Sequence, residues 1–179
     1  EYILENISKI PEIEDITLTT NGIYLKKYAH ILKKYNVKSI NVSLDTLDKN
    51  AYKKITGYDY VESVKSSINY AIKLGFNVKI NSVVIKDFNE NIFELAEIAK
   101  HNKISVRFIE LMPMGEGRKY KYIQGSEVIK RLEEKYGKFE KTGYRSNGPC
   151  VYYKNNSFKG TVGLITAVSD CFCSQCNRI

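Results

Sequence analysis

Alternating strand-prone and helix-prone segments predict an α/β fold. Polar residues recurring on one face of the strand-prone runs refine this to a partial, incomplete parallel α/β barrel with a small C-terminal β-containing appendage. Four β-prone runs stand at residues 15–20 (DITLTT), 39–45 (SINVSLD), 78–85 (VKINSVVI) and 105–112 (SVRFIELM), with helical spacing between them. Strand, helix, strand, helix at this spacing is the signature of right-handed βαβ units and a parallel sheet. A doubly wound sheet, buried on both faces, reads as nearly continuous Val, Ile and Leu. Here Thr17, Thr19, Asn41, Ser43, Asp45, Lys79 and Asn81 make one face polar, while Ile16, Leu18, Ile40, Val42, Leu44, Ile80 and Val84 make the other apolar. A shared polar face predicts a wet, ligand-lined channel.

The intervening helices follow from apolar stripes. Leu25, Tyr28, Ile31, Leu32 and Tyr35 recur on one face, with Asn36 placed to end that helix in a left-handed conformation. Val61, Val64, Ile68, Ala71 and Ile72 make a second stripe closed by Gly75, and Ile92, Leu95, Ala96 and Ala99 a third. Residues 49–56 read as a short turn ahead of the second helix. Past Met112 the pattern changes at Pro113 and Gly115. Ser126 is placed to cap a helix through Val128, Ile129, Leu132 and Tyr136 to Gly137. Two further β-prone runs, residues 150–154 and 160–168, are expected to pair antiparallel across Asn155-Asn156 as the appendage. The expected division is 1–112 for the partial barrel and 113–179 for the C-terminal element.

With 179 residues, the chain supports one substantial core, and 43% hydrophobic with 27% charged residues marks a globular rather than disordered chain. No apolar run approaches the ~20 residues of a membrane span. Net charge +8 favours an anionic partner, a phosphorylated small molecule or a nucleic acid. The lysines are scattered along helix faces, so charge alone selects no substrate.

Three of the four cysteines, Cys171, Cys173 and Cys176, fall in a C-x-C-x-x-C run close to Ile179. Thiolates so spaced suit one shared metal centre, with further ligands expected downstream. Half a zinc site and a thiol–disulfide pair use the same spacing. Few cysteines, clustered at one end, favour a reducing compartment, and the expected localisation is cytoplasmic. The first residue is Glu1 rather than Met, so the chain reads as a piece of a longer protein.

Read in order, Thr19-Thr20-Asn21-Gly22, Asn41-Val42-Ser43-Leu44-Asp45, Val78-Lys79-Ile80-Asn81, Arg107-Phe108-Ile109-Glu110-Leu111-Met112-Pro113-Met114-Gly115 and Phe172-Cys173-x-x-Cys176-Asn177-Arg178 resemble the GTP 3′,8-cyclase family. That family belongs to the radical S-adenosylmethionine enzymes and performs the first step of molybdenum cofactor biosynthesis. The resemblance is weakest over residues 120–159. It implies an incomplete six-stranded barrel of radical-SAM type with two [4Fe–4S] clusters, S-adenosylmethionine as cofactor and GTP as substrate. On the resemblance, Thr19, Lys79 and Arg178 contact GTP, Ser43 and Met112 contact S-adenosylmethionine, and Cys173 and Cys176 ligate the second cluster. It implies no catalytic side chain among these residues, and a product passed to the next enzyme of the pathway. A homodimer is compatible with it; a nucleic-acid partner is not expected.

The sequence holds no C-x-x-x-C-x-x-C, the motif that the resemblance assigns to S-adenosylmethionine cleavage, so the chain as written is expected to be inactive alone. Plain roles compete at several positions. Lys79 suits a strand-edge lysine in solvent, Ser43 a local backbone bond, and Met112 a gap-filler. Cys150 reads as a small packed hydrophobe, and His30 and His101 as structural or exposed. Asn41, Asp45, Asn81 and Glu110 are expected to point into the channel and to satisfy Lys79 or Arg107. Two other functions remain open on the residues alone. One is a basic α/β module binding nucleic acid through a C-terminal zinc knuckle; the other is a related radical enzyme acting on peptide or tRNA.

Overall fold

Alternate apolar positions build a seven-stranded sheet in the computed structural model, which describes residues 1–144 and 148–170. The strands are β1 (Ile16–Thr20), β2 (Val37–Ser43), β3 (Asn77–Val84), β4 (Ser105–Glu110), β5 (Glu140–Lys141), β6 (Val151–Lys154) and β7 (Thr161–Ile165). Their spatial order is β1-β2-β3-β4-β7-β6-β5, an open row and not a closed ring. The first four run parallel in chain order, as expected.

Among the described residues, six α-helices connect or flank them: α1 (Tyr2–Ile7), α2 (Leu25–Lys34), α3 (Lys49–Thr56), α4 (Val61–Lys73), α5 (Ile92–His101) and α6 (Gly125–Tyr136). The stripes of α2, α4 and α5 bury Leu25, Ala29, Leu32, Val64, Ile68, Ala71, Leu95 and Ala99 in one core with Ile40, Val42, Val78, Ile80, Val106 and Phe108. Burying each large aliphatic side chain stabilises the fold by about 1.5–3 kcal/mol before entropic costs. Tyr28 departs from its stripe and is exposed, while Tyr35 is buried. Asn36 ends the α2 segment at φ 56°, in the left-handed region the sequence indicated. Between β1 and α2, Gly22 has φ +79°, and a Cβ there would stand 3.0 Å from Val42 and 3.1 Å from Val64. The Asn-Gly turn therefore packs directly against β2 and α4.

Three local expectations change. Residues 49–56 form a full helix, α3, because Asp48 accepts the Ala51 N–H at 2.7 Å and Gly57 closes the other end in a left-handed conformation. Ser126 does not cap α6 but lies within it; the N-cap is Gln124, two residues earlier, and the carboxylate of Glu110 accepts the Gly125 N–H at 2.8 Å. The C-terminal strands do pair antiparallel, β6 with β7, but they do not stand apart. Strand β7 pairs parallel with β4, so the expected appendage extends the same sheet and supplies a fifth parallel strand. Asn155 sits where that extension meets α6, donating to the carbonyls of Tyr136, Gly137 and Lys138.

Candidate functional site

Parallel pairing without a slip between β2, β3, β4 and β7 sets residues in rows across the sheet. Thr19, Asn41, Lys79, Ser105 and Thr161 form one row, and Ser43, Asn81, Arg107, Gly163 and Tyr152 the next. Because strand side chains alternate between faces, Lys79 and Asn81 point the same way, and so do Ser43 and Asn41. Thr19, Ser43 and Lys79 thus share one face, as the sequence indicated. Side-chain hydrogen bonds run across this face. Arg107 Nη2 donates to Asn41 Oδ1 at 2.8 Å, and Asn41 Nδ2 donates to Thr19 Oγ1 at 3.3 Å. The first bond reaches across β3, two strand spacings of roughly 4.8 Å each.

At the β4–β7 end this face closes. A Cβ on Gly163 would lie 2.5 Å from Cys150 Sγ, 2.9 Å from Arg107 Cγ and 3.3 Å from Tyr152 Cε1. These groups converge where only glycine leaves room. Cys150 is a buried, packed thiol, and burial pushes it up to about 11, opposed by Tyr152 and by the positive charges of Arg107 and Lys79. Both cations lie within electrostatic reach of this thiol. Buried Asn81 Oδ1 and Arg107 Nε have no hydrogen-bond partner among the described residues. An unpaired buried polar atom costs about 1–3 kcal/mol, so both suit an incoming polar ligand.

The carboxyl edge of the sheet carries the other predicted residues. Ser43 ends β2 and is exposed; Met112 lies just past β4 and is 47% exposed. A Cβ on Gly117 would come within 2.4 Å of the Met112 carbonyl oxygen, so the turn at Gly115–Lys119 folds back directly on Met112.

Two acids correct the expected pairing. Asp45 accepts the Val83 N–H at 2.8 Å, and burial raises its carboxyl, with that bond opposing. Its carbonyl takes a hydrogen bond from Asn89, which also bonds Val83 and Ile85. Asp45 therefore secures strand ends and does not serve Lys79 or Arg107. Glu110 sits on the Phe108 side of β4, bonded to Gly125, Val168 and Ser169. Asn41, not an acid, accepts from Arg107 Nη2. His30 and His101 stay on the surface, beside Tyr70 and Glu97.

A family model described as the Radical SAM superfamily matches residues 1–113. The chain belongs to the radical SAM superfamily. A second model, Molybdenum Cofactor Synthesis C, matches residues 104–179. The chain is 45% identical over 99% of its length to a GTP 3′,8-cyclase of Clostridium perfringens, of which it covers 55%. It is 41% identical, again over 99%, to the protein of that name from Petrotoga mobilis, covering 56%. A third, from Pelotomaculum thermopropionicum, is 38% identical over 100% of the chain, with 57% covered. The chain thus spans little more than half the length of these relatives.

The radical SAM assignment implies iron–sulfur and S-adenosylmethionine chemistry. Cys171, Cys173, Cys176 and Arg178 lie outside the described residues. Among the described residues, no group of three or more His, Cys, Asp and Glu could hold a metal ion. Cys150, deep and with a raised thiol, is a poor source of ligating thiolate. In donor chemistry, the thiols of the Cys171, Cys173 and Cys176 run suit an iron–sulfur cluster. Sequence reasoning placed Arg107 in a motif without a ligand role. Its odd-numbered register with Ser105 was the available signal.

Proposed function

We propose that the intact protein converts GTP to (8S)-3′,8-cyclo-7,8-dihydroguanosine 5′-triphosphate, the first step of molybdenum cofactor biosynthesis. The observation that carries this reading is 45% identity over 99% of the chain to a protein named GTP 3′,8-cyclase. The shared name of the relatives favours GTP over peptide or RNA. Residues 1–112 serve as the partial barrel, and 113–179 as the element bearing the second cluster. That division is supported by the two family models, which overlap at residues 104–113.

In this reading Lys79 and Thr19 hold GTP from the central row, and Arg107 adds a second cation on the neighbouring strand. Two cations on one face of the sheet suit a triphosphate. Each gains about 4 kcal/mol at ~4 Å from an anionic oxygen at an effective dielectric near 20, before desolvation. Arg178 contacts the nucleotide near Cys173 and Cys176, which hold a [4Fe–4S] cluster, one of two. Ser43 and Met112 hold S-adenosylmethionine at the carboxyl edge. That separates the two ligands along the channel, since Lys79 lies in the first half of β3. When bound, the clusters and S-adenosylmethionine supply radical hydrogen abstraction. The chain's own residues would hold the triphosphate and so orient the ribose.

The described residues contain no helix long and apolar enough to cross a membrane, and a cytoplasmic enzyme fits this. A homodimer, and transfer of the product to the next enzyme of the pathway, complete the proposal. The test pairs GTP binding with 5′-deoxyadenosine release in the intact protein. Arg178→Ala should weaken GTP binding roughly ten- to a hundredfold while S-adenosylmethionine cleavage continues. Arg178→Lys should restore only part, because lysine lacks the planar fork. Unchanged GTP affinity with lost deoxyadenosine formation would put Arg178 at the other end of the channel. The 179-residue chain by itself should release no deoxyadenosine.

A further inference from the structure

We infer that Glu110 is a positioning residue whose buried carboxylate fixes the root of the cysteine-bearing segment to the end of β4. The inference rests on the reading of Cys173 and Cys176 as cluster ligands. Glu110 is 3% exposed. Its Oε1 accepts from Gly125 N–H at 2.8 Å and from Ser169 Oγ at 2.5 Å. Its Oε2 accepts from the N–H groups of Val168 at 2.9 Å and Ser169 at 2.8 Å. One side chain thus joins the end of β4, the start of α6 and the exit from β7.

Burial pushes the Glu110 carboxyl up, but these bonds outweigh it and hold it below the ordinary carboxylate value. The anion is therefore fully engaged. An apolar residue would fill the space at lower desolvation cost, but it could not bind four donors in fixed directions. Those directions matter because the cysteine run lies just downstream. Cys173 comes four residues after Ser169, a distance that can span at most about 14 Å. Arg107 projects from the opposite face of the same strand, toward the channel. Strand β4 therefore links the proposed nucleotide face to the start of the cysteine run.

The experiment compares reconstituted intact wild type with Glu110→Ala, Glu110→Gln and Ser169→Ala. Amide exchange is read at Gly125, Val168 and Ser169, with core amides such as Ile80 as internal reference, alongside iron and sulfide per chain. Glu110→Ala should speed exchange at these three amides by about tenfold or more relative to Ile80, and should lose the iron of one cluster. Glu110→Gln keeps one acceptor oxygen and should fall between. Ser169→Ala removes a single bond and should shift exchange least. If Glu110→Ala does not fold, the other two variants decide. Wild-type exchange and full iron in Glu110→Gln and Ser169→Ala would overturn the inference. Iron for only one cluster in the wild type would instead overturn the reading of Cys173 and Cys176, and the exchange data would still judge the clasp.

Discussion

The two ends of the shared polar face follow the same strand alternation and reach opposite states. At the β1–β2 end, Thr17, Thr19 and Ser43 are exposed. At the β4–β7–β6 end, Arg107 is 7% exposed and Tyr152 is 0% exposed, with Cys150 beside them. The difference comes from what the neighbouring strand presents. Strand β6 arrives antiparallel and adds the large side chain of Tyr152 to the channel face, which fills it. Strand β1 has one partner and short polar side chains, so its face stays wet. Polar character along a strand therefore marks the channel face without saying whether water reaches it.

The largest effect expected from this contrast is at Tyr152. Tyr152→Ala should cost about 3–5 kcal/mol, the range for a fully buried aromatic, read from the urea midpoint. A loss under about 1 kcal/mol would break the claim of a packed end. Next comes Gly163→Ala, which should cost about 1–3 kcal/mol through overpacking against Cys150, Arg107 and Tyr152. Adding Cys150→Ala should recover part of that loss, because the nearest clash is with Cys150 Sγ. Additive losses in the double variant would place the strain elsewhere.

Cys150 also sharpens the comparison through pH. Its folded thiol is raised from 9.0 to about 11 by burial. Above pH 9 the unfolded thiol has lost its proton while the native one keeps it, so the native state binds more protons. This contribution is fully present below pH 9 and is lost as pH rises toward 11, at up to about 1.4 kcal/mol per unit. The difference between wild type and Cys150→Ala isolates it from lysines and tyrosines titrating nearby. A flat difference over this window would mean that water reaches the closed end. Smallest of all, Thr19→Val at the open end should change stability by no more than about 0.5 kcal/mol.

Much of the fold was legible because it depends on local rules. Period-two alternation marked β1 to β4, helical stripes marked α2, α4 and α5, and Asn36 and Gly75 marked left-handed stops. The shared face of Thr19, Ser43 and Lys79 followed as well, since parity within each strand and parallel register between strands suffice to set it. Helix α3 was missed although Asp48 and Gly57 were visible as caps, because its apolar stripe is thin and only Tyr52 is buried.

What the sequence determined by itself was the order of β1 to β4 with the helices α2, α4 and α5, the polar face and the family motifs, all of which are written in residue spacing. Only the tertiary structure decided that β7 lies parallel beside β4, that Asn41 and not an acid receives Arg107, and that Glu110 turns away from the channel to hold Val168 and Ser169. These are pairings between residues up to 66 positions apart. Spacing along the chain constrains which face a side chain takes. Which distant group meets it there depends on how the strands are ordered and curved, and that order minimises the free energy of the whole sheet rather than of any segment.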